Sequence, residues 1–188
     1  MINIVGPALA VSLMVSLIHA PLGIEVLRRG IIFIDLAVAQ IAGLGLVVAA
    51  IFLTEPSLFV SQIIALSCAL LAGLLFCKIE VLAPAQQEAL IGASFVLAAS
   101  LAILFLSDHP SGGQEIQHLL SGQMLFVTWR EIGLHAPVYA IILLVWFLKP
   151  SVRNGIKFYI IFAIAITSSV QMVGVYVVFS SLILPALA

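Results

Sequence analysis

Residues 31–53 read IIFIDLAVAQIAGLGLVVAAIFL, a run in which only Asp35 and Gln40 are strongly polar. A bilayer core takes about 20 such residues as a helix, so this stretch is expected to cross a membrane. The pattern repeats on both sides. Apolar runs fall at 5–26 (with His19 and Pro21 inside), 58–77, 89–107 and 134–148. The last run, 156–188, is too long for one ordinary span. It is expected to be a sixth helix followed, after Gly174, by a broken or re-entrant helical piece ending near Pro185. The expected fold class is all-α: a polytopic transmembrane helical bundle of about six spans plus that short piece near the C-terminus.

Composition agrees. The 188 residues are 64% hydrophobic and 8% charged, with a mean hydropathy of +1.32, whereas soluble domains carry about 25% charged residues. One water-soluble core of this size does not bury so much apolar surface. A net charge of −1 leaves no basic stripe to neutralise phosphates, so no nucleic acid partner is expected. Cys68 and Cys77 stand nine residues apart in one apolar run, roughly 13 Å along a helix and too far for a disulfide. Met1-Ile2-Asn3 lacks the basic start of a cleavable signal, so the first run is expected to remain as a span. No phosphate-cradling GxxxxGK[ST] loop occurs, which puts any ATP hydrolysis on another chain. No Ser, His and Asp stand in the context of a hydrolase triad, and no enzyme activity is expected.

The connecting charges alternate in sign. Arg28 and Arg29 follow the first span, Lys78 the third, and Lys149, Arg153 and Lys157 the fifth. Glu55 follows the second span, and Asp108, Glu115 and Glu131 the fourth, with Arg130 the exception. Short basic loops stay cytoplasmic, so the N-terminus is expected outside and loops one, three and five inside. Small residues recur in the second span (Ala37, Ala39, Ala42, Gly43, Gly45) and the fourth (Gly92, Ala93, Ala98, Ala99, Ser100). Such residues let membrane helices approach closely.

Polar side chains at membrane depth are the candidate functional residues. Asp35 has two readings: an interfacial carboxylate paired with Arg28 or Arg29, or a group on a transport path. Gln40 lies five residues on, about 140° around a helix, so the two do not share a face. Alone it reads equally as interhelical hydrogen-bond glue. In the loop 108–118, DHPSGGQEIQH, Glu115 and His118 share a face if the loop is helical. With His109 they offer an imidazole and carboxylate shell suited to zinc, manganese or ferrous iron, or else a solvated loop with incidental histidines. His19, beside Pro21, reads as a hydrogen-bonded packing residue or a ligand, and His135 as interfacial. The hydroxyls of Thr167-Ser168-Ser169, with Gln171, suit a helix lining a polar path or ordinary packing.

Residues 19–45, HAPLGIEVLRRGIIFIDLAVAQIAGLG, resemble the first two helices of the zinc/manganese/iron permease subunits of ATP-binding cassette importers. The motifs QEALIG at 87–92, LLSG at 119–122, SSVQMVGV at 168–175 and LILPA at 182–186 agree with that family in order and spacing, so the resemblance covers nearly the whole chain. It implies a single transmembrane permease domain over residues 1–188. It further implies a homodimer in the lipid bilayer of the inner (plasma) membrane, a cytoplasmic ATP-binding subunit and an extracytoplasmic metal-binding protein. No cofactor is implied; the divalent metal, whether zinc, manganese or iron, is cargo. Asp35 and Gln40 would line the path, with His109, Glu115 and His118 receiving metal at its outer mouth. Many members carry a His four residues after the Asp, where this chain has Gln40 five residues on. The family's connection between helices five and six is longer than 149–155 here, and its chain runs on beyond Pro185-Ala186. Those departures support an alternative: a degenerate, transport-incompetent membrane paralogue with only an assembly role. A stand-alone channel or secondary carrier lacks the paired broken helices expected of one.

Overall fold

A computed structural model describes residues 2–53, 57–107 and 124–188. Helix α1 spans Ile2–Arg29, α2 Ile34–Phe52, α3 Leu58–Leu82, α4 Gln87–Leu106, α5 Trp129–Leu148, α6 Gly155–Val173 and α7 Val175–Leu187. All but α7 are long and apolar enough to cross a membrane. The chain is a multi-pass membrane protein, as its hydropathy requires, because a helix satisfies its backbone hydrogen bonds internally where no water is available.

Helix ends follow local chemistry. Gly30 adopts φ 69° after α1, and the Ile31 N–H donates to the Val26 carbonyl at 3.2 Å. That closure ends the helix as a left-handed glycine does, with Arg28 and Arg29 in its last turn facing the negative end of the dipole. Ser57 caps α3 by accepting from the Val60 N–H. Thr128 and Glu131 form a reciprocal capping box on α5. Helix α5 thus begins at Trp129, five residues before the expected start, because Arg130 and Glu131 belong to its first turn. The expected break falls at Gly174, whose φ of 79° admits only glycine comfortably; α6 stops there and the 13-residue α7 follows.

Helices α2 and α6 are the most buried of the spans; α2 packs mainly against α3 and α4, while α1 packs on α7 and α3 on α6. Small residues make these approaches possible in α2, where Ala37, Ala39, Ala42, Gly43 and Gly45 are all buried. At Gly23 of α1 a Cβ would collide with the backbone carbonyl of Leu182 in α7. In α4 only Ala98 of the expected small residues is buried, in a line with Ile91, Ala102 and Leu106. Gly92 meets open space, and Ala93 and Ser100 are exposed.

The three basic connections meet at one end of the bundle through Arg29. Its Nε donates to Glu25 at 2.8 Å, one terminal nitrogen to Glu80 of α3 at 2.6 Å, and the other to the Arg153 carbonyl at 2.6 Å. Its guanidinium lies 4.4 Å from the centre of the Phe158 ring in α6. Arg28 also bonds Glu25, at 2.7 Å. Removing one partner of a buried pair costs about 3–5 kcal/mol, and Arg28 offsets part of that here. Arg29→Ala is expected to lower the melting temperature of the detergent-solubilised protein by an amount equivalent to about 2–3 kcal/mol. Arg29→Lys, which keeps the charge and loses the planar fork, should fall between. A melting curve unmoved by Arg29→Ala would show that the three connections are held by something else.

Candidate functional site

The first turn of α2 places Asp35 inside the bundle at the end that carries the basic loops. The carboxylate is 1% exposed, and neither oxygen has a hydrogen-bond partner. Pairing with Arg28 or Arg29 does not occur: those guanidiniums are taken by Glu25 and Glu80. The neighbour of Asp35 is instead another carboxylate. Glu88, in the first turn of α4, accepts the Phe33 N–H on Oε1 at 3.0 Å, and Phe33 is the residue before α2. That bond does the work of a side-chain cap, which Phe33 cannot supply. The other Glu88 oxygen is buried and unpartnered, and Glu88 is close enough to act electrostatically on Asp35. Three carboxylate oxygens without a well-formed hydrogen bond therefore collect where α2 and α4 begin, with the backbone N–H groups of Asp35 and Leu36 beside the Asp35 carboxylate. Ionising both groups there is costly, with no cation among the described residues to neutralise them, and protonation is one way to relieve it. A bound divalent cation would remove that cost.

Gln40 does not join them. Helix α2 runs unbroken through both positions, so the 140° offset stands, and Gln40 is half-buried on another face. His109, Glu115 and His118 lie outside the described residues. Among the described residues no three His, Cys, Asp or Glu side chains converge, and a cation at Asp35 and Glu88 would complete its shell with water or carbonyl oxygens.

The buried histidine has a different task. His19 is fully buried, with Nδ1 at 2.7 Å from Ser181 Oγ and Nε2 at 3.0 Å from Ser169 Oγ. Ser169 has one proton, which it gives to the Ala165 carbonyl at 2.7 Å. It therefore accepts from both the His19 Nε2–H and the Tyr139 hydroxyl, the latter at 2.6 Å. Ser181 Oγ stands at Nδ1 on the other side of the ring, with its hydroxyl also within reach of the Val178 carbonyl at 2.9 Å. Both ring nitrogens are engaged, which leaves none for a metal. The cluster joins α1, α5, α6 and α7. His135 is half-buried and bonds Ser168 at 2.7 Å. It borders a cavity of about 240 Å³ between α3, α5 and α6, walled by Phe59, Ile63 and Leu66 on one side. That cavity lies toward the other end of the bundle from Asp35.

Glu88 belongs to the QEALIG motif that is expected to open the fourth helix, but the sequence assigns it no site role. The signal was present as an acidic residue in the first turn of an apolar helix.

A protein-family model described as the ABC 3 transport family matches residues 1–154. Nothing matches among the curated proteins. Among solved structures the chain is similar to one described as PsaBC from Streptococcus pneumoniae in complex with Fab. The TM-score is 0.68 at 18% identity, over 96% of this chain and 70% of that one. At that identity the likeness is one of fold, and its coverage extends into α6 and α7, beyond the matched family region.

The hydrogen-bond count around His19 makes a separable prediction. His19→Ala should lower the melting temperature by the equivalent of about 2–4 kcal/mol, since it opens a cavity and orphans buried hydroxyls. It should leave the affinity of the folded protein for Mn²⁺ or Zn²⁺ unchanged. Lost metal affinity at an unchanged melting temperature would make His19 a ligand after all.

Proposed function

The chain belongs to the ABC 3 transport family, and on that premise we propose that it is the permease subunit of an importer carrying a divalent metal ion, zinc, manganese or iron, into the cytoplasm. The observation that carries this reading is the Asp35 carboxylate, buried to 1% exposure with both oxygens free and Glu88 beside it. An uncompensated carboxylate inside a membrane bundle is retained for function by default, and a dication is the species that two such groups attract. Exchange with either side requires the helices to rearrange, since Asp35 is shut off from solvent. That requirement is alternating access. The chain supplies path and gates; ATP hydrolysis falls to a separate cytoplasmic subunit and delivery to an extracytoplasmic metal-binding protein, around a homodimer of permeases.

Orientation follows from charge. Arg28, Arg29, Lys78, Lys149, Arg153 and Lys157 belong to the end where loops one, three and five meet, and Arg130 to the other. The basic end faces the cytoplasm of the inner (plasma) membrane, with the N-terminus outside. Asp35 and Glu88 then form the inner metal site. Gln40 lies farther along α2 toward the outside, and on this reading His109, Glu115 and His118 would receive metal at the outer mouth.

Uptake of radiolabelled zinc and manganese tests this in cells lacking their own importers, with this chain, its ATPase and its binding protein expressed together and each omitted in turn. Uptake should need all three. Asp35→Ala should reduce it at least about tenfold, equivalent to 1.4 kcal/mol, and Glu88→Gln should weaken it while keeping the oxygen that accepts from Phe33. Uptake unchanged by Asp35→Ala refutes the site. No uptake at all, with the chain present in the membrane, would favour the paralogue that only assembles.

A further inference from the structure

Arg29 does more than hold connections together. It is the last residue of α1, and only residues 30–33 separate it from the helix that carries Asp35. Its side chain is 11% exposed and spends all three guanidinium nitrogens at once, on α1, on α3 and on the turn that leads into α6. Its flat face covers Phe158 at 4.4 Å, while Gln87 of α4 donates to the Tyr159 hydroxyl at 2.8 Å beside it. Five structural elements thus close over the end of the bundle where Asp35 and Glu88 lie, and the centre of the closure is one ionised side chain.

From this geometry we infer that Arg29 is the latch of the inner gate: its release from Glu80 and from the Arg153 carbonyl opens the route between the Asp35–Glu88 carboxylates and the basic end of the bundle. The inference rests on the transport reading above for its purpose, though its mechanics stand alone. Two physical features suit a latch. Deleting one partner of this pair is costly, but releasing both to water is not, because rehydration of the two charges offsets the attraction given up; an apolar plug of equal size would resist opening. Release also changes the sign of the exit. With Arg29 in place, a cation leaving Asp35 meets a guanidinium. With Arg29 swung away, Glu25 and Glu80 lose that partner and present negative charge, which draws a cation outward. Packed interfaces of this kind switch between discrete arrangements.

The test reads accessibility and requires no transport. In the full-length protein with Cys68→Ser and Cys77→Ser, Asp35→Cys reports the site, and Val11→Cys, at a position with 0% exposure on α1, reports general loosening. The purified protein in detergent is treated with a charged, water-soluble thiol reagent. Asp35→Cys should react slowly while Arg29 is present and at least tenfold faster with Arg29→Gln, and Val11→Cys should stay protected in both. Equal rates at Asp35→Cys with and without Arg29 overturn the latch. So does a parallel rise at Val11→Cys, which would mean that Arg29 only holds the fold. If Arg29→Gln does not accumulate, Glu80→Gln removes the charge on α3 and reads the same contact. Faster labelling together with failed metal uptake by the chain that retains Asp35 keeps the latch and rejects the import reading. Unchanged labelling with intact uptake rejects the latch alone.

Discussion

A polar group taken into hydrocarbon must find its partner within the bundle, because no water is there to supply one. The architecture answers that constraint site by site. Ser12, Ser67, Ser94, Ser169 and Ser180 each donate to the carbonyl four residues back on their own helix. His19 binds two serines from different helices, and Gln87 binds Tyr159. Arg29 satisfies three nitrogens at one end of the bundle. Against this background the free oxygens of Asp35 and Glu88 are informative. A bundle that has found partners for a histidine, a tyrosine and an arginine leaves both Asp35 oxygens and one Glu88 oxygen without a hydrogen bond, as it does the Thr167 hydroxyl and Arg153 Nε, and the two carboxyl groups are the ones that stand together.

The same constraint sorts what the sequence discloses from what it conceals. Hydropathy alone marks six spans, and Gly174 marks the break before α7, because both depend on local composition and on one backbone angle. Ends were less legible. Arg130 and Glu131 count among the charges between the fourth and fifth spans, yet the Thr128–Glu131 capping box makes them part of the first turn of α5. Partners were not legible at all. His19 and Ser181 are 162 residues apart, and Arg29 and Arg153 are 124 apart; no periodicity encodes which helix faces which. Asp35 shows the consequence. Its nearest cations in sequence suggested an ion pair, but Glu25 lies one turn back from Arg28 and Arg29 on the same helix and takes both. Proximity along the chain is a poor guide once a helix end directs side chains to its own last turn.

The short connection between α5 and α6 bears on whether this end can move as a unit. It is a single turn, Pro150–Arg153, with Val152 buried beneath it. Arg153 donates to the Trp146 carbonyl at 3.4 Å and stacks 5.5 Å from the Trp146 ring, while its own carbonyl receives Arg29. The turn is thus clamped to α5 by its side chain and to α1 by its backbone, and through Arg29 to Glu80 of α3. A long connection would absorb a displacement applied to it; this one passes a displacement directly to the guanidinium that closes the bundle. In the proposed importer the ATPase acts on the basic end, where a push on residues 150–153 moves the Arg153 carbonyl against Arg29. A displacement of that turn reaches Arg29 through one hydrogen bond, the one that the Arg153 carbonyl accepts.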